Sequence, residues 1–573
     1  MKHTLQTKPA KAPASLGAVL HPHSAEDISG WQIRLVPDDV KRYEQSGRWA
    51  GQTIWQAAMR FLESSPDRVL VIDSSGRYTL REAMDAAREL AGGLHAIGLR
   101  PGHVISHQLP NWWEALVLNL AACLSGLVSN PIVPIYRASE VRFILRDARA
   151  RVFFVPTQFR GFDHLEMGQQ LREELPLLSH VVAVRGPDGQ ATSTFESLRA
   201  LGRCHSWTAP LQNPNAVKLV IYTSGTTGSP KGVLHTHNTL MSEIHAAVNF
   251  WRVGSQDVVI MPSPVTHVTG YLYGLEMPLV AQCSAVLMEK WDAAMAAALI
   301  HQHGATLSVG ATPFLSERAQ HAGRYAGLPS LRVFASGGAP VPPEVVLRAR
   351  EAFANCAVFR VYGSSEAPTI TLGLRPGDDI VLGATTDGRV TNNDVRLHHA
   401  NSANGEGEVT VRGPEVMVGY TQWADTLEAF DADGYFHTGD LAVLGPEEFL
   451  TISGRKKDLI IRGGENISAK EIEDVLHAHP AIADVAVVAM PHARLGEGLC
   501  AFVVPSLGHT VGLAEINAFL AGAAIARQKY PDRVEIVDAL PRTASGKVQK
   551  NVLRDRIRAL LVAQENATHE ARP

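Results

Sequence analysis

A strand that runs straight into a loop of small hydroxylated residues sets the first constraint on this chain. Val217-Lys-Leu-Val-Ile-Tyr222 is apolar and β-branched, the pattern of a buried strand. It feeds Thr223-Ser-Gly-Thr-Thr-Gly-Ser-Pro-Lys-Gly232. Gly225 and Gly228 let the backbone approach a ligand closely and reach φ > 0. The hydroxyls of Thr223, Ser224, Thr226 and Thr227 are donors for phosphate oxygens, and Lys231 adds a mobile positive charge. No Gly-Lys-Ser/Thr triplet occurs here, so the loop is not of the GxxxxGKS/T type. A bare Gly/Ser/Thr cluster is often a plain turn, but the full run from Tyr222 to Gly232 favours a nucleotide-phosphate site.

At 573 residues the chain exceeds what one hydrophobic core supports, so two or more domains are expected. A net charge of −4, with both signs mixed along the chain, gives no basic footprint for nucleic acid. The five cysteines are scattered and form no CxxC, which suits reduced thiols rather than disulfides or a zinc site. The N-terminus lacks the apolar stretch of a secretory signal. Ala115 to Val128 is apolar but too short to span a bilayer, and reads as a buried helix. A cytoplasmic protein without a transmembrane segment is expected.

Residues 1–27 are rich in Pro, Ala and His without periodicity and read as a flexible tail. Strand-like and helix-like segments then alternate to about residue 385, the signature of α/β layers around largely parallel sheets. Arg68–Asp73 reads as a strand, and Thr79-Leu-Arg-Glu82 as a capping box that opens a helix. Turn residues crowd short strands from about 386 to 452, which suggests a small β-rich subdomain. Beyond Gly454-Arg-Lys-Lys-Asp458 lies an α+β unit with a second capping box at Ser468–Glu471 and strands at 485–490 and 500–504. The expected architecture is a large α/β N-terminal domain over 28–456, made of two α/β subdomains and the β-rich one. A small mobile α+β C-terminal domain follows over 457–573.

Further motifs follow the loop in order: Ser336-Gly-Gly-Ala-Pro340, Tyr362-Gly-Ser-Ser-Glu366, Tyr435-Phe-His-Thr-Gly-Asp440, Gly454-Arg-Lys-Lys-Asp458 running on to Asn466, and Leu540-Pro-Arg-Thr-Ala-Ser-Gly-Lys547. Taken with the loop, they resemble the adenylate-forming superfamily of acyl-CoA synthetases, peptide-synthetase adenylation domains and luciferases. The resemblance implies ATP, Mg²⁺ and coenzyme A as ligands. It places Gly338, Ala339 and Pro340 against adenine, Tyr362 stacked on the purine, and Gly363, Ser364 and Ser365 near the α-phosphate. Ser365 stands where the family usually has Thr, and keeps the hydroxyl. Glu366 would hold Mg²⁺, which favours carboxylate plus phosphate oxygens. Asp440 would accept from the ribose hydroxyls and Arg455 would bind ribose or phosphate. Lys457 falls at the family's hinge, Gly463-Gly464 at its CoA tunnel, and Lys547 at its catalytic lysine.

The implied chemistry is carboxylate attack on the α-phosphorus of ATP, followed by thiol attack on the acyl-adenylate. Gln108-Leu-Pro-Asn-Trp112, Ser308-Val-Gly-Ala-Thr-Pro-Phe314 and Gly463-Gly-Glu-Asn-Ile-Ser468 look like the branch of cyclohexanecarboxylate–CoA ligases and short- to medium-chain acyl-CoA synthetases. The chain has no room after Lys550 for a carrier domain, which favours a stand-alone CoA ligase. The acyl pocket is expected near His267, Val268, Gly310, Ala311, Thr312 and Gly338, with His267 as its gate and small residues at 310–311 giving depth. No basic residue in those segments pairs a second carboxylate, so an apolar monocarboxylic acid fits best. The alternatives are loading of a carrier protein, luciferase-like oxidation, or a non-catalytic acyl- or nucleotide-binding protein. The last predicts loss of catalytic positions, yet Lys231, Glu366, Asp440, Arg455 and Lys547 are all present. The context of Lys547 also resembles the site at which protein acetyltransferases silence acyl-CoA synthetases. A monomer or a homodimer is expected.

Overall fold

Thr79 shows how local chemistry starts an element. Its hydroxyl accepts from the Glu82 N–H at 3.2 Å, and the Glu82 carboxylate accepts from the Thr79 N–H at 2.7 Å. This capping box opens helix Leu80–Ala96. Ser468 follows the pattern only halfway. Its hydroxyl caps helix Ala469–Leu476 through the Glu471 N–H, but the Glu471 carboxylate turns to the Lys529 ammonium at 2.6 Å. Charge pairing there outcompetes the reciprocal bond.

The computed structural model describes residues 24–186, 193–223, 230–401, 404–492, 494–543 and 547–570. Two seven-stranded sheets dominate. In the first, parallel strands from His180–Val184 to Val217–Thr223 are closed by the antiparallel strands Lys231–Thr236 and Gly419–Tyr420. The second is parallel from Ala357–Arg360 through Val333–Ser336, Leu307–Gly310 and Val258–Met261 to Val69–Asp73, with Gly76–Thr79 as an antiparallel edge. The largest apolar cluster draws on both sheets and on helices between them. Among those, every residue of Trp113–Ser125 is buried, so the apolar run in the sequence is a core helix.

A four-stranded antiparallel sheet, Asp394–His398, Gly407–Arg412, Phe436–Leu444 and Leu450–Arg455, forms the β-rich part. The 3₁₀ turn Lys456–Asp458 leads from its last strand to Leu459–Arg462, the first strand of a separate five-stranded sheet with its own apolar cluster. The fold is therefore the expected mixed α/β arrangement, a large N-terminal part and a smaller C-terminal one. One expectation is corrected: Ser24–Glu26, read from sequence as tail, pairs antiparallel with Gln32–Arg34, because the Asp27–Gly30 turn brings the two segments together. No helix among the described residues is long and apolar enough to cross a membrane.

Between the large sheets lies a buried ion pair. Lys218, 2% exposed, donates to Glu276, and the Asn119 amide carbonyl takes a second ammonium hydrogen at 3.2 Å. Tyr271 donates to the same Asn119 oxygen at 2.7 Å. Glu276 ends a π-helical turn, Tyr271–Glu276, which this network holds. Lys218→Met would leave Glu276 buried without its cation and should cost about 3–5 kcal/mol. The double variant Lys218→Met/Glu276→Leu should cost clearly less, as read by chemical denaturation.

Candidate active site

In a parallel sheet, ligands collect beyond the carboxyl ends of the strands. Three neighbouring strands of the second sheet end at Gly310, Ser336 and Arg360. The segments that follow carry Ala311–Thr312, Gly338–Pro340 and Tyr362–Glu366, so sheet topology brings the predicted adenine, metal and acyl residues to one edge. Gly363 has no room for a side chain, since a Cβ would fall 2.0 Å from the Pro368 carbonyl oxygen. Gly338 adopts φ +78°. The Ser364 hydroxyl accepts from the Glu366 and Ala367 N–H groups at 3.2 and 3.3 Å and shapes the turn that presents Glu366. The Ser365 carbonyl accepts from His235 Nε2 at 2.8 Å.

Asp440 joins the site to the β-rich sheet. Its Oδ2 accepts from the Tyr362 hydroxyl at 2.8 Å, and its Oδ1 from Arg455 Nε at 2.7 Å. Asp440 and Arg455 are register partners on adjacent strands. The nearby carboxylate raises the Arg455 pKa, and burial beside Asp440 raises that of Tyr362. Each Asp440 oxygen retains a lone pair for a further donor.

The side predicted to take phosphate is framed by a hairpin. Thr223 and Lys231 pair across its strands, while Ser224, Gly225, Thr226, Thr227 and Gly228 lie outside the described residues. Lys231 Nζ pairs with Asp425 at 2.7 Å and lies 5.2 Å from the centre of the Tyr420 ring. The Tyr420 hydroxyl donates to Glu366 Oε1 at 2.9 Å. Tyr420 and Asp425 escaped the sequence reading. No local sequence pattern marks them: Gly419–Tyr420 reaches the site only because it pairs as the edge strand next to Lys231–Thr236. No group of three or more His, Cys, Asp or Glu side chains able to hold a metal occurs among the described residues. The lone Glu366 carboxylate instead fits a Mg²⁺ ion that takes its other ligands from phosphate and water.

Lys547 reaches this cluster from the C-terminal part. Burial, followed by Arg455, lowers its pKa to about 8, against the opposing pull of Asp440 and Glu366. Its N–H donates to the Thr543 hydroxyl at 3.1 Å. His267 Nδ1 accepts from the Thr269 N–H at 3.4 Å. Burial and, secondarily, Lys547 lower the His267 pKa to about 4, so near neutral pH its ring is uncharged with the proton on Nε2. Val268 and Ala311 are buried, and the Thr312 hydroxyl donates to the Pro340 carbonyl at 2.9 Å. Depth at Gly310 is corrected: a Cβ there would fall 2.7 Å from the Phe314 ring, so Phe314 fills the space that glycine leaves. Lys457 lies near Arg455 and Asp440, with its pKa lowered by burial. Gly463 and Gly464, at φ +60° and +90°, form a two-residue hairpin turn with no described contact to the Lys547 cluster.

The family model for AMP-binding enzymes matches residues 58–421, and that for the AMP-binding enzyme C-terminal domain matches 471–547. The chain belongs to the AMP-binding enzyme family. Within this adenylate-forming family, a medium-chain fatty-acid–CoA ligase of Escherichia coli K12 is 34% identical over 554 residues, covering 93% of this chain and 96% of that protein. A salicylyl-CoA synthase/salicylate adenylyltransferase from a Streptomyces species is 31% identical, covering 90% of this chain and 96% of that protein. Among solved structures, ATP-bound MatB from Rhodopseudomonas palustris superposes with a TM-score of 0.77 at 27% identity, over 88% of this chain and 99% of that one. As an AMP-binding enzyme, the chain is an AMP-forming acid–thiol ligase.

The Lys231–Asp425 pair is about 28–29% exposed on each side, so it holds the lysine by no more than about 1 kcal/mol. Asp425→Asn should release Lys231 and tighten ATP binding by at most about fivefold. Calorimetry without the acid substrate would measure this; weaker binding would mean that Asp425 helps to hold the nucleotide.

Proposed function

We propose that this enzyme joins a short- or medium-chain, or alicyclic, monocarboxylic acid to coenzyme A through an acyl-adenylate, releasing AMP and pyrophosphate. The observation that carries this reading is the convergence of Glu366, Asp440 and Arg455 around Lys547, with His267 beside the same lysine. Tyr362 and Gly338–Pro340 form the adenine side, and Asp440 with Arg455 the ribose side. Thr223 and Lys231 stand on the triphosphate side. Glu366 would hold Mg²⁺, which would neutralise phosphate charge. Lys547 lies beside the acid's carboxylate and the α-phosphate, where a fixed cation stabilises the charge that builds as the acyl–O–P bond forms and pyrophosphate leaves. His267, neutral with its proton on Nε2, orients the acid. The apolar lining of Val268, Ala311 and Phe314 suits an acid without a second charge.

In the second step the CoA thiol attacks the acyl carbonyl, AMP leaves, and the thiol proton passes to solvent or phosphate. Turning of the C-terminal domain (457–573) about Lys457 would withdraw Lys547 and bring Gly463-Gly464 to the thiol's path. Lys457 suits a pivot: it lies in the short turn between two sheets, and its ammonium holds no ion pair among the described residues. Neutralising Lys547, for example by a protein acetyltransferase, would block the first step alone.

Lys547→Ala should lower acid-dependent pyrophosphate exchange by about 10²-fold or more while sparing thioester formation from supplied acyl-adenylate. Equal loss in both halves would contradict the assignment. With the Lys547 pKa at about 8, the cation required for adenylation is the form present below that value, so the first step should fade as pH rises through it. Lys547→Arg, charged throughout, should lose that alkaline limb. AMP release across linear, alicyclic and aromatic acids, with and without CoA, tests the whole reading. Adenylate formed without turnover on CoA would point to a carrier protein as acceptor, and silence with every acid would refute it.

A further inference from the structure

Behind the Glu366 turn the interior holds two carboxyl groups with no cation bonded to either among the described residues. Glu243, on helix His237–Trp251, and Glu415, in the segment leading to Gly419–Tyr420, are both 0% exposed. Three of their four oxygens accept from neutral donors. The Tyr273 hydroxyl bonds Glu243 Oε1, the Asn392 amide bonds Glu415 Oε2 at 2.9 Å, and the Asn393 amide bonds Glu415 Oε1. The fourth, Glu243 Oε2, is buried without a donor, and the two carboxyls lie within hydrogen-bonding reach of each other.

Two bare carboxylates in such a place would repel without relief. A single proton between them supplies the missing donor at Oε2 and leaves one negative charge for the phenol and the two amides. The other titratable group bonded to the pair is Tyr273, which burial and Glu243 keep protonated. Arg48 reaches only the Asn392 carbonyl, at 3.2 Å. Burial first, and for Glu415 the neighbouring carboxyl next, raises both pKa values.

The pair grips the Glu366 turn from two sides. Tyr273 also bonds the Thr369 hydroxyl at 2.5 Å, just beyond Glu366. On the other side, Met417 N–H donates to the Glu366 carbonyl at 2.7 Å and Tyr420 to its carboxylate at 2.9 Å, both close after Glu415. We infer that Glu243 and Glu415 share one proton and that the bridged pair is a positioning element for Glu366. The positioning half rests on the adenylation reading above; the proton half does not.

Unfolded glutamates ionise near pH 4.3, so at neutral pH folding takes up one proton at this pair. The contribution is present in full below that value and is lost as pH rises through the raised folded pKa, up to about tenfold in the folded-to-unfolded ratio per pH unit. In Glu243→Gln an amide N–H₂ replaces the shared proton and cannot titrate. Melting from about pH 6 to about pH 8 should fall more steeply for the wild type than for Glu243→Gln or Glu415→Gln. The wild-type infrared spectrum at neutral pH should contain an un-ionised carboxylic acid band that either variant loses. Absence of that band from the wild type, or its persistence in both variants, overturns the shared proton. For positioning, Glu243→Ala should raise the Mg²⁺ needed for half-maximal AMP formation by about tenfold, with Glu243→Gln restoring most of it. If the alanine variant does not fold, the same requirement should rise with pH in the wild type and stay flat in Glu243→Gln. An unchanged requirement overturns the positioning role. No AMP formation by the wild type with any acid removes the adenylation reading instead and leaves the proton result standing.

Discussion

The carboxylate of Asp440 is the joint on which the site depends. Through one oxygen it holds Tyr362, which follows the last strand of a parallel sheet, and through the other it holds Arg455, at the end of the β-rich sheet. Two sheets that share no strand are thereby fixed at the point where the chain departs for its C-terminal part. Arg455 in turn sets the field in which Lys547 sits, so the charge of the lysine reports on contacts made by a residue far from it in sequence.

That arrangement explains why positive groups crowd one place without driving each other out. Burial first and Arg455 next lower the pKa of both Lys457 and Lys547, and Lys457 adds to the effect on Lys547. Asp440 opposes the shift at both, and Glu366 opposes it at Lys547. The balance leaves Lys547 with a pKa well below that of a free lysine, close to the range in which a cell could switch it. Lys231, in contrast, is held by Asp425 alone among the described carboxylates and lies over an aromatic ring. The cations of the site are thus held in different ways, one by a network and one by a single exposed partner.

Elements dictated by local chemistry were legible in the sequence. The Thr79 capping box, the strand before the phosphate loop and the buried helix at 113–125 each follow from residues close together in the chain. Legibility failed where a distant partner decided the outcome. Glu471 abandons its half of the second cap for Lys529. Phe314 occupies the space at Gly310, which glycine alone made look open. Tyr420 and Asp425 matter because a sheet edge places them beside Glu366 and Lys231. Glu243 and Glu415 carry no local pattern at all, since each becomes unusual only when the fold brings the other to it.

The Thr223–Lys231 pairing carries one more consequence. Because the lysine opens the return strand, its position is set by backbone ladder bonds and not by the loop between the two residues. The placement of that charge is therefore independent of how the segment between the two residues is built. A slip of the ladder by one residue is another matter, because it would turn Lys231 to the opposite face of the sheet. A register error in the ladder would therefore be felt at the site even with the segment between the strands unchanged.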